Sequence, residues 1–260
     1  MNRFNFIALG LGLLGLTCPA AGAAEDSPVY ELRTYTTNEG KLEALLARFR
    51  DHTCRLFEKH GIENVGYWVP VEKADGADNT LIYVVAHKSR EGAKASWAKF
   101  AADPDWKVAR AASEAGGKIL AKAPEVIFMK ATQYSPPVKL GAEAKERVFE
   151  MRTYTTPEGK LEALHRRFTD HTKRLFERHG MTNVVYWTPM DADKGSGNTL
   201  IYLLAHPSKG AGLAAFTAFR LDPEWTTAKA ASERNGSLTL PQPNGVKSVY
   251  VRATDFSPLR

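Results

Sequence analysis

The chain writes one block of sequence twice. YELRTYTTNEGKLEALLARF begins at Tyr30 and FEMRTYTTPEGKLEALHRRF begins at Phe149, a constant offset of 119 residues. The same offset carries His52 to His171, Trp68 to Trp187, His87 to His206 and Trp106 to Trp225, and no gap is needed from Val29 to about Ala115. A chain of 260 residues has room for two units of ordinary size, and the repeat divides it that way.

Both copies spell the same elements. VYELRTYT alternates and is rich in β-formers, so it reads as a strand ending near Thr36. In the second copy Thr156 is the expected helix N-cap, with Pro157 at the first helical position and Glu158 in the first turn. The helix is expected to run to His60 and stop at Gly61, with Leu42, Leu45, Leu46, Phe49, Leu56 and Phe57 forming one apolar stripe. NVGYWVP is a short strand stopped by Pro70, and VEKADGADN is a turn. TLIYVVAH is apolar almost throughout, which predicts a strand covered on both faces. Ser89 caps a second helix, Asp103 and Pro104 restart it at an angle, and EVIFMKATQY closes the unit. Its counterpart, SVYVRATDF, follows about three extra residues in PQPNG.

The order is βαββαβ, the ferredoxin-like split unit. Such a sheet has helices on one face only, and the other face must be covered. Left wet, it would be a large apolar patch. A second copy in the same chain supplies the cover. The expected fold is therefore α+β: two ferredoxin-like βαββαβ repeats packed sheet to sheet as an intramolecular α/β barrel, with a first repeat at 28–136, a linker at 137–147 and a second repeat at 148–260.

Residues 1–24 differ in kind. MNR is a short positive start, FNFIALGLGLLGLTC is apolar, and Ala21-Gly22-Ala23 is an A-x-A site, together the pattern of a secretory signal peptide. The expectation is an exported protein, periplasmic or secreted, with no later segment apolar for long enough to span a bilayer. Lipid attachment at Cys18 is the alternative, against which Thr17 stands where Gly or Ala is expected. Removing the leader leaves Cys54 alone, without an internal disulfide; its counterpart is Lys173. The net charge of +6 is spread through both copies among acids, a solvated surface and no nucleic-acid track, though a preference for anionic ligands stays open.

Taken together, YELRTYT, EGKLEALLARFRDHTCRLFEKHGI, VGYW, TLIYVVAH and FAADPDW, with their second-copy forms FEMRTYT, VVYW, TLIYLLAH and FRLDPEW, resemble the NIPSNAP family within the dimeric α/β-barrel superfamily. The resemblance covers nearly all of the chain after the leader. It implies the ferredoxin-like fold and face-to-face pairing already argued. Eukaryotic relatives are associated with mitochondria and vesicle traffic, which fits poorly with an export leader. Neighbouring families include small monooxygenases acting on aromatic substrates and haem-handling enzymes, a kinship at the level of fold.

By the period of two, Glu31, Arg33 and Tyr35 share a face, as do Tyr83 and His87; the sets recur as Glu150, Arg152 and Tyr154, and as Tyr202 and His206. Over a cavity between sheet and helices, each set would hold a carboxylate or phenolate through the arginine while aromatic rings stack. His52 and His171, on the flank of the helical stripe, join the candidates. The competing reading of Glu31 and Arg33 is an internal ion pair. His60 reads as a packing and capping residue at a helix C-terminus, and Tyr67, Trp68 and Trp106 read as core. No histidines stand at the i, i+4 spacing of a zinc helix and no C-x-x-C occurs, so no metal is expected. Without a phosphate loop, a dinucleotide fingerprint or G-x-S-x-G, neither a nucleotide cofactor nor serine hydrolysis is expected. The leading expectation is a module that binds a small aromatic or anionic molecule, or a partner, without cofactors. The alternative is a cofactor-independent monooxygenase-like or haem-handling enzyme using an Arg33/His87 pocket, and an assembly scaffold is a third reading. A higher homo-oligomer stays open. The copies differ at Leu46/His165 and Gly66/Val185, so their pockets need not be alike.

Overall fold

The computed structural model describes residues 28–141 and 146–260; the leader assigned to residues 1–24 lies outside the described residues. In the first repeat, β1 (Val29–Thr36) leads to α1 (Leu42–Arg48), a π-helical turn (Phe49–Thr53) and α2 (Cys54–Lys59). Then come β2 (Glu63–Pro70), β3 (Thr80–His87), α3 (Arg90–Ala102), α4 (Pro104–Ser113) and β4 (Glu125–Ala131). The second repeat follows the same order: β5 (Val148–Thr155), α5 (Leu161–Arg167), a π-turn (Phe168–Thr172), α6 (Lys173–Arg178), β6 (Thr182–Pro189), β7 (Thr199–His206), α7 (Lys209–Leu221), α8 (Pro223–Ser232) and β8 (Val246–Ala253).

The eight strands close into one antiparallel barrel, β1-β3-β2-β8-β5-β7-β6-β4 and back to β1. The repeats join edge to edge: Trp68 of β2 lies opposite Ala253 of β8, and Met129 of β4 opposite Pro189 of β6. Closure turns inward the two sheet faces that carry no helices. There Leu32, Trp68, Val84 and Met129 meet Met151, Trp187, Leu203 and Val251 in one core. Each such side chain contributes about 1.5–3 kcal/mol by leaving water. The strands expected to be covered on both faces, β3 and β7, are buried at every residue. Closure also leaves no free sheet edge.

Each repeat sends an arm onto the other. Beyond β4, the Thr132 amide donates to the Tyr186 carbonyl at 2.9 Å, and the Tyr186 amide donates to Ser135 Oγ at 3.0 Å. This places Tyr134 against Phe168 and Tyr186 of the second repeat. Beyond β8, Thr254 donates to the Tyr67 carbonyl at 2.9 Å, Tyr67 donates to Ser257 Oγ at 2.9 Å, and Phe256 packs on Phe49 and Tyr67 of the first.

The first helix departs from expectation in two places. Thr156 is no N-cap: its amide donates to the Asn198 carbonyl at 2.8 Å, and α5 starts behind Lys160. The cause is Gly159, whose φ of +73° turns the chain before the helix can begin, as Gly40 does at +66° in the first copy. The helix is also interrupted. Thr53 Oγ1 donates at 3.1 Å to the Arg48 carbonyl five residues back, and Thr172 does the same to Arg167. The wider π-turn takes this extra bond and rotates Thr53 inward, leaving His52 exposed.

The caps of the later helices are as expected. Ser89 Oγ accepts from the Gly92 amide at 3.0 Å, and Asp103 Oδ1 from the Asp105 amide at 2.7 Å. Asp103 Oδ2 also accepts from Lys59 Nζ at 2.7 Å and His60 Nε2 at 2.6 Å, so His60 ties the end of α2 to the start of α4. Lys59 and His60 hold the Asp103 carboxyl well below its usual range. His179 and Asp222 repeat the link at 2.7 Å.

Candidate functional site

Strand alternation sends Glu31, Arg33 and Tyr35 of β1 to the helical side of the barrel, where Tyr83 and His87 of β3 also point. Glu31 is wholly buried and is the hub. Its Oε1 accepts from Arg33 Nε at 2.7 Å; its Oε2 accepts from His87 Nε2 at 2.8 Å and from the Trp97 indole at 2.7 Å. Burial alone would raise the Glu31 carboxyl, but His87, Arg33 and Trp97 outweigh it and hold it below the usual range.

Arg33 is the part of this set that faces a cleft. Its guanidinium lies 3.9 Å from the centroid of the Trp97 ring. The cleft, about 570 Å³, is further lined by Arg90, Lys94 and Phe128. Arg90 stacks 4.0 Å from the Phe128 centroid and reaches Asp191 of the second repeat at 2.8 and 2.9 Å. Lys94 is exposed and makes no hydrogen bond or ion pair among the described residues. Glu91, exposed, also lines the cleft, while Glu31 is spent on Arg33 and Arg90 on Asp191. Aromatic rings flanked by Arg33 and the unpaired Lys94 remain as the part of the wall suited to an anionic ring.

The other expected site residues divide by depth. Tyr35 accepts a long bond from Arg33 at 3.4 Å. Tyr83 is fully buried in the aromatic cluster with Tyr67, Phe49 and Phe57. His87 lies behind Glu31 with a side chain 1% exposed. An Arg33/His87 pocket is therefore not formed: Glu31 stands between them, and the remaining His87 nitrogen, Nδ1, is without a partner but buried away from the cleft. His52, on the π-turn, does not converge with this set. His171 lines a different cleft, beside Lys160 and Arg167. Sequence reading missed Trp97; its signal was an aromatic on α3 whose counterpart, Phe216, is also aromatic.

In the second repeat the same geometry closes. Glu150 accepts from His206 Nε2 at 3.1 Å and from Arg152 and Ser248, while Arg152 donates to Tyr202 at 2.9 Å and Tyr154 at 3.2 Å. Phe216 has no N–H to give, and Ser248 supplies a donor instead, to Oε1 on the arginine side of the carboxylate. The Arg152 side chain is 8% exposed against 17% for Arg33. Lys94, Glu91 and Arg90 are replaced by Leu213, Gly210 and Lys209.

Among the described residues no group of three or more His, Cys, Asp or Glu converges as a metal site, and no helix is long and apolar enough to cross a membrane. Cys54 is a free thiol that burial pushes up to about 12.

A closed eight-stranded barrel made from two βαββαβ units, helices outside, defines a dimeric α/β barrel folded within one chain. The NIPSNAP family profile matches residues 30–136 and again 149–258. The chain belongs to the NIPSNAP family. Among solved structures it is similar to a provisionally assigned monooxygenase of Fusobacterium nucleatum, at 8% identity over 87% of this chain and 92% of that one, with a TM-score of 0.55. An anthrone oxidase-like protein matches at 15% identity over 88% and 92%, with a TM-score of 0.51. A NIPSNAP family protein of unknown function from Agrobacterium tumefaciens matches at 25% identity, covering 43% of this chain and 94% of its own, with a TM-score of 0.37. At 8% and 15% identity the first two likenesses speak to the fold alone. Curated proteins show no significant match to the chain.

Proposed function

We propose that the protein binds a small aromatic anion, such as an aromatic carboxylate or a phenolate, in the cleft on the helical side of the first repeat. The observation that carries this is Arg33, anchored by Glu31 and laid over Trp97 at 3.9 Å at the edge of a cleft that also presents Arg90 and Lys94. The anchoring matters. A guanidinium already fixed in place loses little freedom when a ligand arrives. Its Nε is committed to Glu31 and Nη1 makes only the long bond to Tyr35, so Nη2 and the second hydrogen of Nη1 remain for the ligand. The equivalent cleft of the second repeat, with Arg152 drawn onto two phenols and Leu213 in place of Lys94, lacks this arrangement, so one aromatic anion binds in this manner per chain. The reading takes the protein to act outside the cytoplasm, on the strength of the leader-like residues 1–24.

Calorimetric titration with salicylate and benzoate tests it. Saturable binding near one ligand per chain is expected, weakened at least tenfold in Arg33→Met and in Lys94→Glu and unchanged in Arg152→Met. Binding that ignores Arg33 and Lys94, or that falls equally with Arg152, overturns it.

A further inference from the structure

The copies disagree most sharply at one place, and five of their differences converge there. In the first repeat, Leu46 and Phe256 belong to the apolar cluster, and Arg50 bridges to Asp255 at 2.8 and 3.1 Å while passing 5.7 Å from the Phe256 ring. In the second, Leu46 becomes His165, Phe256 becomes Tyr134, Cys54 becomes Lys173, Arg50 becomes Thr169 and Asp255 becomes Gln133. Two apolar groups are exchanged for a hydrogen-bonded pair, and the ion pair that covers the spot is gone.

In its place is a cleft of about 410 Å³ lined by Tyr134, His165, Gln133, Thr169, Lys130 and Arg166. The Tyr134 hydroxyl and His165 Nδ1 are 2.8 Å apart. Lys173 donates to the Tyr134 carbonyl and lies 5.5 Å from its ring, pinning the arm that carries the phenol. Burial holds the Tyr134 phenol well above its ordinary value and the His165 imidazole below its own. Both groups are then neutral at pH 7, and we take the phenol as the donor to Nδ1, the tautomer that leaves the ring proton on Nε2. That N–H makes no bond among the described residues. Lys130 is likewise unpaired among them, and Glu162 is turned to Arg166 at 3.5 Å, leaving Asp170 as the free acid at the rim. The unspent groups are mainly donors.

We propose that this cleft is a second binding site, separate from the Arg33 cleft, for a small organic acid whose carboxylate accepts hydrogen bonds from His165 Nε2 and Lys130. Tyr134 is the positioning residue: by occupying Nδ1 it fixes which nitrogen presents the proton, the role a backbone carbonyl or carboxylate plays for other histidines.

The test uses full-length protein with ¹⁵N-labelled histidine side chains, titrated with acetate and succinate and, as the cationic control, methylammonium. The His165 ring resonances are expected to shift saturably with the acids and not with the control. Two variants are compared, the first borrowing from the sister repeat to keep the fold. Thr169→Arg with Gln133→Asp rebuilds the covering ion pair and is expected to weaken the response at least tenfold while His165 remains as reporter. Arg33→Met is expected to leave it unchanged, which separates this site from the aromatic-anion cleft. No saturable shift, an equal shift with methylammonium, or a response that survives the rebuilt ion pair overturns the proposal.

Discussion

His87 Nε2 donates to Glu31 Oε2 at 2.8 Å, with the two side chains 1% and 0% exposed. A carboxylate this deep stays ionised only because its donors surround it. Glu31→Gln keeps the shape and removes the charge, leaving the Arg33 guanidinium without its ion pair. A loss of about 3–5 kcal/mol in urea unfolding is expected, the range for breaking a buried pair on one side. The pH dependence has a definite sign. The folded carboxyls of Glu31 and Glu150 lie below their ordinary 4.5, so their contribution is fully present above that value and is lost as pH falls through the lowered folded value. The unfolding midpoint of the native chain should fall more steeply below pH 4.5 than that of Glu31→Gln. Equal acid limbs would show that Glu31 is not held ionised by the fold.

Trp97 and Ser248 solve one problem in two ways, each giving the buried glutamate of its repeat a donor. Trp97→Phe installs the ring of the second repeat without its serine and should cost about 1.5–3 kcal/mol, the worth of a hydrogen bond to a charged group. Adding Val126→Ser, the residue matching Ser248, should restore about 1 kcal/mol. A double-mutant cycle reads the coupling directly; additive effects would mean that serine at 126 does not reach Glu31.

Repeat logic misleads at Gly66. Its counterpart is Val185, so valine seems an acceptable substitute. Yet a Cβ at Gly66 would stand 2.3 Å from Cη2 of the Trp68 ring, which is wholly buried and has no room to swing away. Trp68 lies against Phe149 and Trp187 against Tyr30, the counterpart of Phe149, so the indoles keep equivalent ring partners. The difference lies at the residue beside the ring, glycine in one copy and valine in the other. Gly66→Val should destabilise by about 1–3 kcal/mol, the usual penalty for overpacking, measured by thermal or urea unfolding. A neutral effect would show that Trp68 can adopt a second placement.

How far the chain could be read depended on whether a signal was local. The alternation in ELRTY puts Glu31, Arg33 and Tyr35 on one face, and the nearly continuous apolar run TLIYVVAH foretells a strand with no wet side; both are present. Ser89 and Asp103 cap as their patterns say. Alternation assigns a face and says nothing of depth: His87 and Tyr83 share the face of Arg33, but His87 lies behind Glu31 and Tyr83 deep in the aromatic cluster. Trp97 enters from a helix 66 residues away in sequence, a contact made only when α3 packs on the sheet of its own repeat. The π-turn depends on a threonine reaching five residues back, a bond that a regular helical stripe hides, and it is what removes His52. The failed Thr156 cap had a visible cause: Gly159, three residues on, breaks the pattern.

The crossed arms give the sharpest test of why the sequence is doubled. Tyr134 belongs to the first repeat by sequence and to the second by packing, and Phe256 is its reverse. A chain ending near residue 136 would lose Phe256, the partners of the Tyr67 amide and carbonyl, and the whole inner face supplied by Met151, Trp187, Leu203 and Val251. It would also carry an arm with no groove to enter. A symmetric pair of such halves can restore every one of these contacts, each arm entering the other copy, since the offset of 119 makes the two grooves nearly alike. The isolated first repeat should therefore be a dimer by sedimentation, with a melting temperature that rises with concentration. Removing residues 132–136 should weaken that dimer and increase binding of a hydrophobic dye. Phe256→Ala in the full chain should cost about 1–3 kcal/mol, less than full burial of an aromatic ring, because Phe256 is only half-buried. A first repeat that stays monomeric, melts cooperatively and binds no dye would mean that the inner face does not need its sibling, and the account of the barrel would fail with it.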